Sequence, residues 1–372
     1  MNSYLFFLGQ NSLLSQAELT SLIPEAKLTT PHQSIVKLDS PTSLDLPSLG
    51  CRLGGTVKIA VLKQTSSAKQ LQDDLVKLLL DQQAKNFSLN LLDATNQESY
   101  ELSNEVKQRL VDNQLRTRFI APTSTGISPV IITKQKAVEL TIDSDFNIYQ
   151  TTWVHSFKSW INRDRRKPFV TPKSGMLPPK LARIMVNLAV GDKDPGGLTL
   201  LDPFCGTGTI LMEAALQGIK VIGSDLSADK VAGTKTNLDW LDENQACAPL
   251  KPATVFQANA TNLKDQLVDQ IDLIVTEPTL GPASPSQDKL SDIAHGLQKL
   301  YLGALKHWAL FLKPQARVVI ALPILHGQNR SYTTADFIDA RENLGYNTLR
   351  NDLIFTRPGA QIERQIVVLE KQ

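Results

Sequence analysis

Leu198-Thr-Leu-Leu-Asp-Pro-Phe-Cys-Gly-Thr-Gly-Thr-Ile-Leu211 is an apolar run that stops at Asp202, turns through Gly206 and Gly208, and resumes as an apolar helix. The pattern predicts a strand over Thr199–Phe204 and a helix over Gly208–Gln217, with the glycines at the carboxyl edge of a sheet, where open α/β folds bind ligands. Working outward, a helix is expected at Leu181–Leu188, a strand at Val221–Asp225, a helix at Ala228–Asp239 and strands at Thr254–Ala258 and Leu273–Thr276. A long helix at Leu290–Leu312, a strand at Arg317–Leu322, a helix at Thr334–Leu344 and strands at Leu353–Thr356 and Gln365–Leu369 complete the series. Alternation of this kind implies an α/β fold, Rossmann-like and doubly wound, around a mostly parallel sheet.

Glycines let a ligand approach the backbone closely, and a helix start presents N–H groups suited to a carboxylate. Asp202, at the strand end, is suited to accept from an ammonium group. Together these match the amino-acid half of S-adenosylmethionine, so Asp202, Phe204, Gly206, Thr207 and Gly208 are expected to hold that cofactor. Asp225 closes the next strand, where an acid accepts from ribose hydroxyls, and Asn259 ends the third, within reach of the adenine amino group. A nicotinamide dinucleotide loop would place a third glycine where Leu211 stands and would not carry Asp-Pro-Phe before its first glycine.

The 372 residues are enough for two domains and a connector. Before Asp145 the pattern again alternates: Tyr4–Gly9 strand, Ser12–Ile23 helix with Ser15 and Glu18 at capping spacing, Val57–Leu62 strand, Leu71–Gln82 helix and Phe87–Asp93 strand. Asn104–Asn113 then reads as helix, with Val130–Thr133 and Ala137–Ile142 as strands. The expected organisation is an amino-terminal α/β domain over 1–150, a connector over 151–180 and the cofactor domain over 181–372. The connector mixes Trp153, Phe157, Trp160 and Phe169 with Lys158, Arg163, Arg165, Arg166, Lys167 and Lys173 against one acid, Asp164. Such a strip suits phosphates and stacked bases, and those six cations are the expected RNA contacts. Cys51, Cys205 and Cys247 have neither disulfide nor metal spacing, which implies a reducing compartment and no metal. The opening lacks a signal-peptide pattern and no run is long enough to span a membrane, so a cytoplasmic protein is expected. A net charge of +2 alone does not imply nucleic acid, since phosphate affinity depends on where charges sit.

Over nearly its whole length the chain resembles the THUMP-domain RNA methyltransferases that make N2-methylguanosine in tRNA. The resemblance rests on Tyr4-Leu-Phe-Phe-Leu-Gly, Glu105-Val-Lys-Gln-Arg-Leu with Arg116-Thr-Arg-Phe-Ile, Lys173-Ser-Gly-Met-Leu-Pro-Pro-Lys-Leu-Ala-Arg, Asp202-Pro-Phe-Cys-Gly-Thr-Gly-Thr, Ile354-Phe-Thr-Arg-Pro-Gly and Arg364-Gln-Ile-Val-Val-Leu. It implies a class I methyltransferase domain preceded by a THUMP-like RNA-binding domain, with S-adenosylmethionine as cofactor and tRNA or another structured RNA as partner. It says nothing of an activating subunit. The family places Asp/Asn-Pro-Pro-Tyr/Phe-Gly after its fourth strand; this chain has Glu277-Pro278-Thr279-Leu280 before Gly281. By resemblance these four are the catalytic residues, holding an exocyclic amine at the methyl group by orientation and electrostatics rather than by a strong base. Glu277 is one methylene longer than the family's residue, and Leu280 offers no ring to stack on a base. Two other outcomes are therefore carried: methylation of another nucleobase amine, adenine N6 or cytosine N4, and a catalytically silent tRNA-binding protein.

Overall fold

The computed structural model describes residues 2–123, 125–171, 176–244, 249–267, 270–282, 286–327, 331–333, 344–356 and 362–372. The chain forms two compact units, Met1–Gln16 with Ile23–Phe157, and Ala17–Leu22 with Lys158–Gln372.

Up to Val154 the elements run β1 (Asn2–Leu8), α1 (Ser12–Leu22, its residues from Ala17 assigned to the second unit), β2 (Lys27–His32), β3 (Ile35–Ser40), α2 (Leu46–Arg52), β4 (Thr56–Thr65), α3 (Leu71–Asp81), β5 (Asn86–Leu91), α4 (Asn96–Asp112), β6 (Arg118–Phe119), α5 (Pro129–Gln135), β7 (Val138–Ile142) and β8 (Asn147–Val154). The sheet order is β2-β3-β1-β4-β8-β7-β5-β6. Three local readings change. Val130–Thr133, expected as a strand, lies inside α5, because Ser128 caps the Ile131 N–H and Pro129 supplies the preset φ of a helix start. The helix expected from Asn104 begins at Asn96, since Thr95 and Glu98 form a reciprocal capping box. Ser15 is no cap: it lies within α1, and its hydroxyl donates to the Asn11 and Gly55 carbonyls.

The second unit contains α6 (Phe157–Ile161), α7 (Pro179–Val190), β9 (Thr199–Asp202), α8 (Thr209–Ala215), β10 (Lys220–Asp225), α9 (Ala228–Asn244), β11 (Thr254–Gln257), β12 (Ile271–Thr276), α10 (Leu290–Trp308), β13 (Leu312–His326), β14 (Ser331–Tyr332), β15 (Tyr346–Phe355) and β16 (Glu363–Lys371). Its sheet order is β11-β10-β9-β12-β13-β16-β15, with β14 against β13. The first five of these strands are parallel, β16 runs antiparallel to them, and β15, antiparallel to β16, runs in the direction of the first five. Parallel strands covered on both faces read as apolar runs, as Ile271–Thr276 and Val318–Leu322 do. The core joins Leu201, Ile274, Val318, Ile320 and Val367 to Leu297, Leu305 and Trp308 of α10. The Trp308 indole N–H donates to the Ala260 carbonyl at 3.0 Å, tying that helix to the segment after β11. The chain winds from β9 outward to β11 and returns to β12 on the other side of β9, so β9 and β12 flank the switch point where such sheets bind ligands. The helix expected at Thr334–Leu344 lies outside the described residues except for Leu344.

Candidate active site

Above the carboxyl ends of these strands the second unit holds a cavity of about 890 Å³, within the roughly 300–1,000 Å³ of small-molecule sites. Its wall is formed by 202–207 after β9, Asp225 and Leu226 after β10, 258–260 after β11, 277–281 after β12, and Arg364 of β16, with Thr171, Met176 and Leu177. Of the expected cofactor residues, Asp202, Phe204, Gly206, Thr207, Asp225 and Asn259 line it. Gly208 does not. It holds φ +77° at the start of α8, and a Cβ there would meet Thr234 Cγ2 at 2.8 Å, so its glycine serves the turn and the packing beneath it.

Asp202 is buried and its Oδ1 accepts from the Phe204 N–H at 3.1 Å and the Thr276 hydroxyl at 2.7 Å. Burial pushes its carboxyl up to about 7; those two hydrogen bonds oppose the rise, and the nearby Asp225 and Glu277 charges add to it. Asp225 closes the loop from the other side: its Oδ2 accepts from the Gly206 N–H at 3.1 Å and its Oδ1 from the Ser227 N–H at 3.0 Å, with Lys230 Nζ 3.7 Å away. Asn259 uses its Oδ1 locally, on the Thr261 N–H and hydroxyl at 3.0 and 2.9 Å.

All four residues of the tetrapeptide, Glu277, Pro278, Thr279 and Leu280, line the same cavity. The Thr279 carbonyl accepts from the buried Tyr301 hydroxyl at 2.6 Å, and Gly281 turns the chain at φ +91°. The Tyr301 phenol is held well above its ordinary range by burial and by the Glu277 charge, so it acts as a donor here. Glu277 Oε1 accepts from the Arg364 Nε–H, and the two side chains form an ion pair.

The basic strip divides. Residues 151–154 finish β8, where Trp153 packs against Gly50. Lys158, Arg165 and Arg166 are exposed, whereas Lys173 lies outside the described residues. Arg163 and Lys167 are corrections to the expected RNA face, for both are buried. Arg163 stacks over Trp160 at 4.2 Å and its Nε donates to Glu213 Oε1 at 2.6 Å, while Arg183 grips Oε2 of the same carboxylate at 2.9 Å. Glu213 sits in the middle of α8, a helix buried throughout, so it needs these cations. Lys167 Nζ donates to the hydroxyls of Thr207 and Thr209 at 3.2 and 2.7 Å, and burial pushes its ammonium down to about 8. Phe169 packs on Gly233, and Asn237 bonds the Phe169 backbone and the Thr207 carbonyl. Two of the six cations, Arg163 and Lys167, are thus spent on α8 and the glycine loop.

Thr276, Tyr301, Lys167 and Arg364 are the site residues that the sequence did not single out for these roles. Thr276 directly precedes Glu277 and was within reach of sequence reasoning; the pairing of Arg364 with a residue 87 positions earlier carried no local signal.

The RMKL-like methyltransferase domain matches residues 164–322. A curated tRNA (guanine(10)-N2)-dimethyltransferase of Methanothermobacter thermautotrophicus is 38% identical over 130 residues, 35% of this chain and 34% of that protein. A probable tRNA (guanine(10)-N2)-dimethyltransferase of Methanothermococcus thermolithotrophicus is 37% identical over 122 residues, 32% of this chain and 70% of that protein. The chain belongs to this family. It nevertheless spans only 34% to 52% of the length of three curated relatives. The crystal structure of TrmN from Thermus thermophilus superposes over 100% of both chains with a TM-score of 0.54 at 18% identity, so the family fold is shared with that protein. Among the described residues no helix is long and apolar enough to cross a membrane.

Proposed function

We propose that the protein is an S-adenosylmethionine-dependent methyltransferase acting on the exocyclic N2 amine of a guanosine in tRNA. The observation that carries this is one cavity whose wall contains both the Asp202–Thr207 loop with Asp225 and the tetrapeptide Glu277–Leu280.

The donor set fits the cofactor. Asp202, Asp225 and Glu277 make the cavity wall acceptor-rich, which suits a cationic sulfonium and ammonium, and the hydroxyls of Thr207 and Thr209, backed by Lys167, suit a carboxylate. In this reading Asp202 takes the ammonium, Asp225 the ribose hydroxyls, and Asn259 offers its Nδ2 donor to an adenine ring nitrogen. Bound there, S-adenosylmethionine supplies an electrophilic methyl group. Glu277 accepts a hydrogen bond from the amine, Pro278 contributes a carbonyl with no competing N–H, and the Tyr301 bond to Thr279 keeps this backbone in place. Leu280 forms an apolar wall beside the base. A stem nucleotide must be flipped out to enter.

The first unit is read as a THUMP-like RNA-binding domain and the residues after 180 as the catalytic domain, with exposed Lys158, Arg165 and Arg166 as RNA contacts and a cytoplasmic location. Incubating the protein with methyl-labelled cofactor and unmodified tRNA transcripts, then identifying the labelled nucleoside, tests the proposal. N2-methylguanosine is expected. Label on adenine N6 or cytosine N4 changes the substrate alone, and cofactor binding without any transfer favours a silent tRNA-binding protein.

A further inference from the structure

The departure of Glu277 from the family motif has a structural counterpart on the far side of a neighbouring strand. Arg364 sits near the start of β16, opposite Pro323 of β13, and β13 separates β16 from β12. Its guanidinium reaches across the end of β13 to Glu277, and the paired side chains are only 10% and 14% exposed. Both residues line the cavity. A glutamate has one more rotatable bond than the aspartate or asparagine of the motif, so an untethered carboxylate at 277 would sample several positions along the cavity wall. A planar guanidinium fixes a carboxylate in direction as well as distance. A carboxylate offers about four lone-pair sites, and pairing with the Arg364 Nε–H does not by itself stop the group from accepting from an amine as well.

We propose that Arg364 is a positioning residue that aims the Glu277 carboxylate at the incoming amine, so that Glu277 and Arg364 together do the work of the shorter acceptor. The inference rests on the methyltransferase reading above. The pair also settles the charge at the tetrapeptide: Lys230 stands beside Asp225 on the same wall, and Arg364 stands beside Glu277, so Glu277 adds no net negative charge to the cavity.

The test compares Arg364→Gln, Arg364→Lys, Glu277→Gln and the double glutamine variant. In Arg364→Gln, kcat for tRNA methylation should fall about 100-fold, the size of effect produced by misplacing a reacting group by about 1 Å. Calorimetric affinity for the cofactor should stay within about 3-fold, because Arg364 acts through Glu277 and not on the cofactor loop. Arg364→Lys keeps the charge without the fork and should recover about 10-fold of the loss. In the Glu277→Gln background, Arg364→Gln should change kcat by less than about 3-fold, since the two residues act as a unit. Without cofactor, a tRNA carrying 2-aminopurine at the methylated nucleotide should brighten on binding the wild type as the base leaves the stack. It should brighten less with Arg364→Gln.

Wild-type kcat in Arg364→Gln, or the same 100-fold loss with and without Glu277, overturns the proposal. Should Arg364→Gln fail to fold by thermal unfolding, Arg364→Lys decides: a kcat equal to wild type also overturns it. Absence of any RNA methylation by the wild type would instead sink the functional reading itself.

Discussion

The Thr276 hydroxyl donates to Asp202 Oδ1 at 2.7 Å, joining the end of β12 to the end of β9 one residue before the tetrapeptide begins. The two halves of the proposed chemistry, cofactor loop and amine acceptor, are thus fastened at adjacent strand ends. The same contact bears on pH. With the Asp202 carboxyl pushed up to about 7 by burial, the residue is largely protonated at pH 6 and ionised at pH 8. Only the ionised form accepts fully from an ammonium group, so cofactor affinity should rise with pH through about 7 and be roughly 10-fold weaker at pH 6 than at pH 8. Calorimetry across that range, repeated in buffers of different ionisation enthalpy, should show proton release on binding near pH 6.5. Asp202→Asn should bind weakly at every pH, and a flat wild-type profile would remove Asp202 from the ammonium site.

Asp225 has two tasks, holding the Gly206 N–H with one oxygen and the Ser227 N–H with the other. Replacing it by alanine releases the loop as well as the ribose contact. Hydrogen bonds to charged groups contribute roughly 1.5–3 kcal/mol, so Asp225→Ala should weaken cofactor binding about 10- to 100-fold. Unchanged calorimetric affinity would withdraw the ribose assignment.

How much of this was legible beforehand follows from the range of the interactions concerned. The strand from Thr199, the turn at Gly206 and Gly208, and the acid closing β10 are local patterns that stand where the periodicity put them, although the strand ends at Asp202, two residues short of the expected Phe204. The alternation of strands and helices gave the α/β class for the same reason. Readings changed where a cap outweighed the pattern: Thr95 moved the start of a helix, and Ser128 starts a helix where a strand was expected. The hairpin of β2 and β3 was missed because Lys27–His32 is largely exposed and carries little apolar alternation. The basic strip misled for a deeper reason: composition cannot tell an arginine facing water from one facing a buried acid. Arg163 lies 50 residues from its partner Glu213, and only the folded chain brings α8 between Arg163 and Arg183.

That buried cluster makes a stability prediction. Glu213→Leu would leave the Arg163 and Arg183 guanidiniums facing each other without their carboxylate. Removing one member of a buried ion network typically costs about 3–5 kcal/mol. The variant should therefore unfold at markedly lower denaturant concentration, read by circular dichroism, whereas Asp73→Ala, which breaks an exposed pair with Arg109, should lose less than about 1 kcal/mol. Equal losses would mean that the cluster is not structural.

The divided strip yields a last prediction, for RNA. Arg165 and Arg166 are exposed on the π-type turn Asn162–Arg166, while Arg163 on the same turn points into the Glu213 cluster. Each phosphate contact adds roughly one unit to the slope of log affinity against log salt. Arg165→Gln with Arg166→Gln should then weaken tRNA binding at low salt and lower that slope by about two, leaving thermal stability and cofactor affinity as they were. Arg163→Gln should do the reverse, lowering the unfolding temperature and changing the salt slope little, because its charge is already spent on Glu213. If the Arg165 and Arg166 pair left RNA affinity unchanged, the exposed half of the strip would have no role in binding and the RNA face would have to be sought elsewhere. A salt slope altered by Arg163→Gln alone, in a variant that still folds, would show that the buried cluster opens when RNA arrives.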